Sequence, residues 1–214
     1  MQRASDGLAG VVREVLRASS GSRPDGRVLL LVGSGNNGGD ALYAGASLAR
    51  ELVPGGGAVT VVPAGRHLHD AGLAAARAAG ATVDPLEPWC DPVATGERLA
   101  GYDVVLDGLV GTGTSGAPGL RGDALRVVRA LLTSLPGRTT PTIVAVDVPS
   151  GIGTDDGSLP EPPLVLPADV TVTFGGHKAG LLVPPASLLA GRVVLVDIGL
   201  GPDLAAMPPA ITTD

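Results

Sequence analysis

Three times along this chain a run of aliphatic residues ends in a polar, glycine-rich segment. Residues 28–32 (VLLLV) run into GSGNNGGD at 33–40, residues 104–106 (VVL) into DGLVGTGTSGAPG at 107–119, and residues 143–146 (IVAV) into DVPSGIGTDDG at 147–157. Short runs that are apolar throughout read as strands buried on both faces. Helical spacing fills much of the intervening chain. At 4–18, Leu8, Val11, Val12, Val15 and Leu16 share one face, with Arg13, Glu14 and Arg17 opposite. Residues 41–52, 69–79 and 120–135 show similar periodicity.

Further strands are predicted at 59–62, 82–83, 170–174 and 193–196. Strands alternating with helices predict a Rossmann-like three-layer αβα sandwich with a mainly parallel sheet. No helical pattern separates the last two strands, which leaves room for an antiparallel edge. Residues 85–92 read as a Pro-containing loop. The chain divides into one domain over 1–205 and a linker or disordered tail over 206–214. Aromatics make up only 2% of the chain against 44% hydrophobic residues, so the core must be built from Val, Leu, Ile and Ala.

In an open parallel sheet the loops leaving the carboxyl ends of the strands share one edge, and ligands bind there. The three glycine-rich segments therefore converge on one pocket. The first can place backbone N–H groups and a helix N-terminus against a phosphate. Gly33, Gly35 and Gly38 satisfy G-x-G-x-x-G, a weak match alone, and the same residues also suit an ordinary strand-to-helix turn. The second and third segments each set a carboxylate at a strand end, Asp107 and Asp147, on strands expected to be neighbours. With nearby amides and hydroxyls, two such carboxylates suit either a cation held by oxygen ligands or acid–base work.

Other features narrow the field. A net charge of −6, no long basic run and few aromatics argue against nucleic acid as a partner. No apolar run is long enough to span a membrane. A single cysteine, Cys90, excludes an internal disulfide framework and points to a cytoplasmic setting; beside Trp89 it reads as a packing residue. His67 and His69 read as solvated, and no His or Cys cluster offers a zinc site.

The stretches GSGNNGGDALYAGASLAR, DVVLDGLVGTGTSGAPGLRG, VAVDVPSGIGTDDG, ADVTVTFGGHKAGLLVPP and VVLVDIGL, in this order, resemble the NAD(P)H-hydrate epimerase family, also called the YjeF N-terminal domain. The resemblance implies an isomerase that interconverts the R and S hydrates of NADH and NADPH (NADHX and NADPHX) in nicotinamide cofactor repair. It implies a homodimer and a bound potassium ion (K+). By motif position, the potassium ligands would be Asn37, Asp107 and Ser150. The hydrate would contact Asn36, Asn37, Gly38, Gly39, Asp40, Gly111, Thr112, Gly113, Thr114, Ser115, Gly116, Ala117 and Asp147. Asp147 is the catalytic candidate, and Lys178 in the H-K-x-G turn is expected to help close the site; a plain surface lysine is the alternative.

Ala41 replaces the glycine that often follows NNGGD in the family. Members generally carry a segment ahead of the helix that opens here at Met1, and many bacterial members continue into a dehydratase domain. The resemblance thus implies a shortened form, a domain cut from a bifunctional protein, or a stand-alone variant. Two other readings compete. A non-catalytic nucleotide- or partner-binding module of the same fold need not keep Asn36, Asn37, Asp40, Asp107, Asp147 and Ser150. An NAD(P)-dependent oxidoreductase would be expected to show a Tyr-Lys pair or a catalytic His, and neither Tyr43 nor Tyr102 stands beside a lysine.

Overall fold

The structure, a computed structural model, describes residues 1–20, 25–113, 118–137, 139–205, 208–209 and 211–212. In chain order the elements are α1 (Gln2–Ser20), β1 (Arg27–Val32), α2 (Asn36–Leu52), β2 (Ala58–Pro63), α3 (Asp70–Ala78), β3 (Thr82–Val83), α4 (Pro92–Leu99), β4 (Val104–Gly108), α5 (Gly122–Ser134), β5 (Thr142–Val146), β6 (Val170–Phe174), β7 (Arg192–Val196) and the short α6 (Gly201–Ala205). The seven strands form one sheet in the order β3-β2-β1-β4-β5-β6-β7.

Every strand pair is parallel. The antiparallel edge allowed by the sequence is therefore absent: β6 and β7 pair in parallel, Val170 against Arg192 through Phe174 against Val196. Two 3-10 turns, Ala179–Leu181 and Ala186–Leu189, carry the crossover between them. Such turns are too short to leave a helical repeat in the sequence.

The alternation of β1 shows how the two core layers form. Val28, Leu30 and Val32 face one side, with Leu8 and Val12 of α1 and Leu42 and Leu48 of α2. Leu29 and Leu31 face the other, with Val127 and Leu131 of α5, Leu99 of α4 and Trp89. Both faces are covered, which is why β1 carries no polar residue after Arg27.

Helix α4 follows the loop expected at 85–92 and has no counterpart among the helices predicted from the sequence. Asp91 caps it by accepting from the Ala94 N–H at 2.8 Å, and Pro92 occupies its first position. Residues 201–205, at the end of the expected domain, form α6; much of the expected linker or tail over 206–214 lies outside the described residues. Cys90 is half-buried, and burial pushes its thiol up, consistent with packing. Among the described residues no helix is long and apolar enough to cross a membrane.

Candidate active site

Strand order reverses between β1 and β4: the chain moves outward through β2 and β3, then returns to β4 on the other side. The carboxyl ends of the central strands open there into a cleft of about 910 Å3. All three glycine-rich segments reach this edge, as the sequence predicts.

The first segment differs from expectation in one respect. Helix α2 begins at Asn36, not near Ala41, so Asn36, Asn37, Gly38, Gly39 and Asp40 are its first turns. Helical periodicity was hidden because two glycines and three short polar side chains carry no apolar stripe. The N-cap is Gly35, without a side-chain cap. The first intrahelical bond is Gly39 N–H to the Gly35 carbonyl at 3.2 Å. The N–H groups of Asn36, Asn37 and Gly38 thus precede the helical ladder and suit an anion.

Asn36, Asn37, Asp40, Gly111, Thr112, Gly113 and Asp147 line the cleft. Gly38 and Gly39 do not: Gly38 packs on the Gly33 carbonyl, where an added Cβ would overlap, and Gly39 packs on the His69 ring. Thr114, Ser115, Gly116 and Ala117 lie outside the described residues. His69 is not solvated as expected. It is half-buried, caps α3 by accepting from the Gly72 N–H at 3.0 Å, and meets Tyr43 edge-on at 5.5 Å. His67 is exposed.

Asp107 and Ser150 lie beneath the cleft, fully buried. The Ser150 hydroxyl donates to Asp107 Oδ1 at 2.6 Å, and the Ser150 N–H donates to Oδ2 at 2.9 Å. The Leu109 N–H adds a longer bond at 3.3 Å. Ser150 Oγ also accepts from the Val110 N–H at 2.9 Å. Asn37 reaches the same segment from α2. Its amide donates to the Val146 carbonyl at 2.5 Å, and its Oδ1 faces Gly111, where a Cβ would collide with it. The structure therefore brings Asn37, Asp107 and Ser150 to residues 107–111. Burial pushes the Asp107 carboxyl up, since its hydrogen bonds only partly offset desolvation. Among the described residues no basic side chain is one of its hydrogen-bond donors.

Asp147 follows directly on β5, beside Asp107 on the neighbouring strand. It is 7% exposed. Its φ is 67°, the one positive value among the described non-glycine residues. The Val148 N–H closes a three-residue turn onto the Val146 carbonyl at 2.9 Å, and the Asp147 N–H bonds to Val172 on β6 at 2.7 Å. Positive φ at the centre of so tight a turn is strained, and such strain concentrates at functional positions. Three donors converge on Asp147 Oδ1: Lys178 Nζ at 2.5 Å, Thr173 Oγ1 at 3.1 Å and the Phe174 N–H at 3.3 Å. Lys178 also bonds Thr173 Oγ1 at 3.0 Å and the Phe174 carbonyl at 2.9 Å. It is held against Asp147 and is not a free surface lysine.

Asp40 is the third carboxylate. It accepts from the Ser5 hydroxyl of α1 at 3.0 Å. Burial pushes its carboxyl above its ordinary value of 3.8, with Asp147 adding to the push. The folded protein then favours protonated Asp40 more than the unfolded chain does, so stability falls as pH rises from below 3.8 through the raised value. Asp40→Asn is therefore expected to melt above the parent at pH 7 and level with it near pH 3, each kcal/mol recovered reading as roughly 2–4 °C. Equal melting temperatures at both pH values would refute a penalised charge at this position. Ser5, Ser34, Arg66, Arg121 and Phe174 escaped the sequence reading. Ser34 and Arg66 carried a signal, since each follows a strand end.

The fold and cleft define an α/β domain of the doubly wound class, open at the carboxyl ends of its central strands. The family described as YjeF-related protein N-terminus matches residues 1–180, and the chain belongs to that family. It is 46% identical over 211 residues to an NAD(P)H-hydrate epimerase of Clavibacter michiganensis subsp. michiganensis, covering 99% of this chain and 85% of that protein. It is 42% identical to an NAD(P)H-hydrate epimerase of Microbacterium testaceum, covering 99% of this chain and 75% of that protein. It is also 39% identical to the bifunctional NAD(P)H-hydrate repair enzyme Nnr of Mycobacterium tuberculosis, covering 96% of this chain but 37% of that protein. The crystal structure of the yeast protein ynu0 shares the fold, with a TM-score of 0.62 at 21% identity over 90% of this chain and 74% of its own.

Proposed function

We propose that this chain interconverts the R and S hydrates of NADH and NADPH, an isomerase activity of cofactor repair. The observation that carries the reading is near-full-length identity with proteins named for that reaction. The hydrate bears a hydroxyl on C6 of the reduced nicotinamide ring, beside the ring nitrogen. Epimerisation breaks and remakes a bond at C6, by loss and return of water or by ring opening and closure. Both routes move a proton to and from oxygen.

Asp147 is the group suited to that transfer. Lys178, Thr173 and Phe174 anchor Oδ1, while Oδ2 takes no hydrogen bond among the described residues and the side chain borders the cleft. Lys178 is a positioning residue here, with its donors directed at Asp147, Thr173 and Phe174. The N–H groups that open α2, together with Gly111, Thr112 and Gly113, suit the diphosphate. A homodimer and a cytoplasmic setting belong to the same reading. The test of the reaction is to start from one pure hydrate epimer and follow the other by epimer-resolving chromatography. A rate no higher than in buffer alone would reject the reading.

A potassium ion fits the residues present. Asp107 is a buried carboxylate without a basic partner among the described residues, and Asn37 Oδ1, Ser150 Oγ and the Val110 carbonyl supply further hard oxygen donors near it. When bound, such an ion would supply positive charge beside the substrate. Asn37, Asp107 and Ser150 would hold it. In potassium chloride the protein is expected to melt higher than in choline chloride, by the equivalent of about 2.7 kcal/mol at 100 times the dissociation constant. Asp107→Asn removes most of that increment. An equal increment in the variant would move the cation elsewhere.

A further inference from the structure

We infer that Arg66 makes this cleft selective for the dinucleotide hydrate that carries a phosphomonoester on its adenosine ribose. The inference rests on the reading above and names which of the two hydrates the site favours. The strands bordering the cleft stand in the order β2, β1, β4, β5. From Asp147 at the end of β5 to the end of β2 is three strand spacings, about 14 Å at roughly 4.8 Å each. That span suits an extended dinucleotide. With nicotinamide beside Asp147 and the diphosphate over the glycine segments of β1 and β4, the adenosine ribose falls at the end of β2.

In doubly wound dinucleotide sites an acidic residue at that end takes the ribose hydroxyls, whereas an arginine takes a ribose phosphate. Here β2 ends Pro63-Ala64-Gly65-Arg66-His67-Leu68-His69, and the next carboxylate is Asp70 in α3. Nothing acidic in this turn would repel a phosphate. Arg66 is exposed and borders the cleft. It forms no hydrogen bond or ion pair among the described residues, so its guanidinium is available for a bidentate contact.

The turn that carries Arg66 is fixed in place. The Ala64 N–H bonds to the Val32 carbonyl at 2.9 Å, and the His67 N–H reaches Ser34 Oγ at 3.4 Å. Gly65 sits so close to Gly33 and Ser34 that a Cβ has no room. Arg66 is thus built onto the first glycine segment rather than hung from a separate loop. The other cations near the cleft have different placements. Lys178 is engaged by Asp147. Arg121 stands at the N-cap of α5, borders the cleft after the β4 segment, and suits the diphosphate that both hydrates share.

The test compares kcat/KM for the two hydrates, and calorimetric Kd values for NADP+ and NAD+, in the parent, Arg66→Ala and Arg66→Lys. The parent is expected to favour the phosphorylated member by about 10- to 100-fold, as lost charged hydrogen bonds imply. Arg66→Ala brings that ratio to within about threefold of one, and Arg66→Lys keeps part of it. A parent without preference, or an alanine variant that weakens both members by the same factor, overturns the inference. If the protein equilibrates neither hydrate yet still prefers NADP+ through Arg66, the proposed reaction fails and this inference stands. If it equilibrates both equally well, the reverse holds.

Discussion

Asp147→Asn is expected to lower kcat for hydrate epimerisation by roughly 100- to 10,000-fold, the usual contribution of a positioned acid–base group. Folding and nucleotide affinity should be largely retained. Asparagine keeps the shape and the tolerance for positive φ that this turn needs. It removes the charge and the ability to take up a proton. Lys178 keeps Thr173 Oγ1 and the Phe174 carbonyl as partners after the change. Single-turnover rates and nucleotide titrations, measured side by side, separate the two effects. A variant with near-parental rate would shift proton transfer to Asp40, which also borders the cleft. A loss of nucleotide affinity equal to the loss of rate would instead make Asp147 a binding residue.

Gly33→Ala is expected to be the most damaging small substitution at the sheet edge. An added Cβ at Gly33 would overlap the Leu109 carbonyl, which is backbone and has no rotamer to yield. The β1 and β4 segments would have to separate, as the Gly33 N–H bond to the Gly108 carbonyl at 3.1 Å now prevents. Overpacking of this kind typically costs about 1–3 kcal/mol, sometimes more. In a domain of this size each kcal/mol lowers the melting temperature by roughly 2–4 °C. Gly35→Ala is the contrast. Among the described residues nothing lies within 4 Å of its added Cβ, and its φ of −92° suits any residue. Thermal melts should therefore separate the two variants clearly. Equal melting temperatures would mean that the two segments are not packed as closely as described.

The layered fold was legible because its signals are periodic and apolar. The buried β1 run and the helical spacing of Leu8, Val12 and Leu16 each point to one face, and the packing agrees. Three positions defeated that logic. Helix α2 starts at Asn36, five residues before its apolar stripe does, because glycine, Asn and Asp leave no periodic mark. Helix α4 is eight residues long and buries only Thr95 and Leu99. The β6–β7 crossover runs through 3-10 turns, so the sequence could not distinguish a parallel from an antiparallel edge.

The site was legible in part for a related reason. Residues at the ends of buried strands must meet at one edge, so Asp107, Asp147 and the glycine segments could be grouped from order alone. The roles of Ser5, Lys178 and His69 depend on contacts between segments distant in sequence. Ser5 reaches Asp40 across 35 positions and Lys178 reaches Asp147 across 31. No local spacing encodes such pairs. Gly38 and Gly39 were expected as ligand contacts from their place in the family motif. In the helix their missing side chains instead make room for the Gly33 carbonyl and the His69 ring.

The most direct measurement starts separately from the pure R hydrate and the pure S hydrate, in potassium buffer, with catalytic amounts of the protein. Epimer-resolving chromatography follows each to completion. The predicted result is convergence on one common R-to-S ratio from both sides, at a rate proportional to protein concentration and far above that of buffer. Asp147→Asn should return both time courses toward the buffer rate. Time courses that match buffer alone at every protein concentration would contradict the assignment.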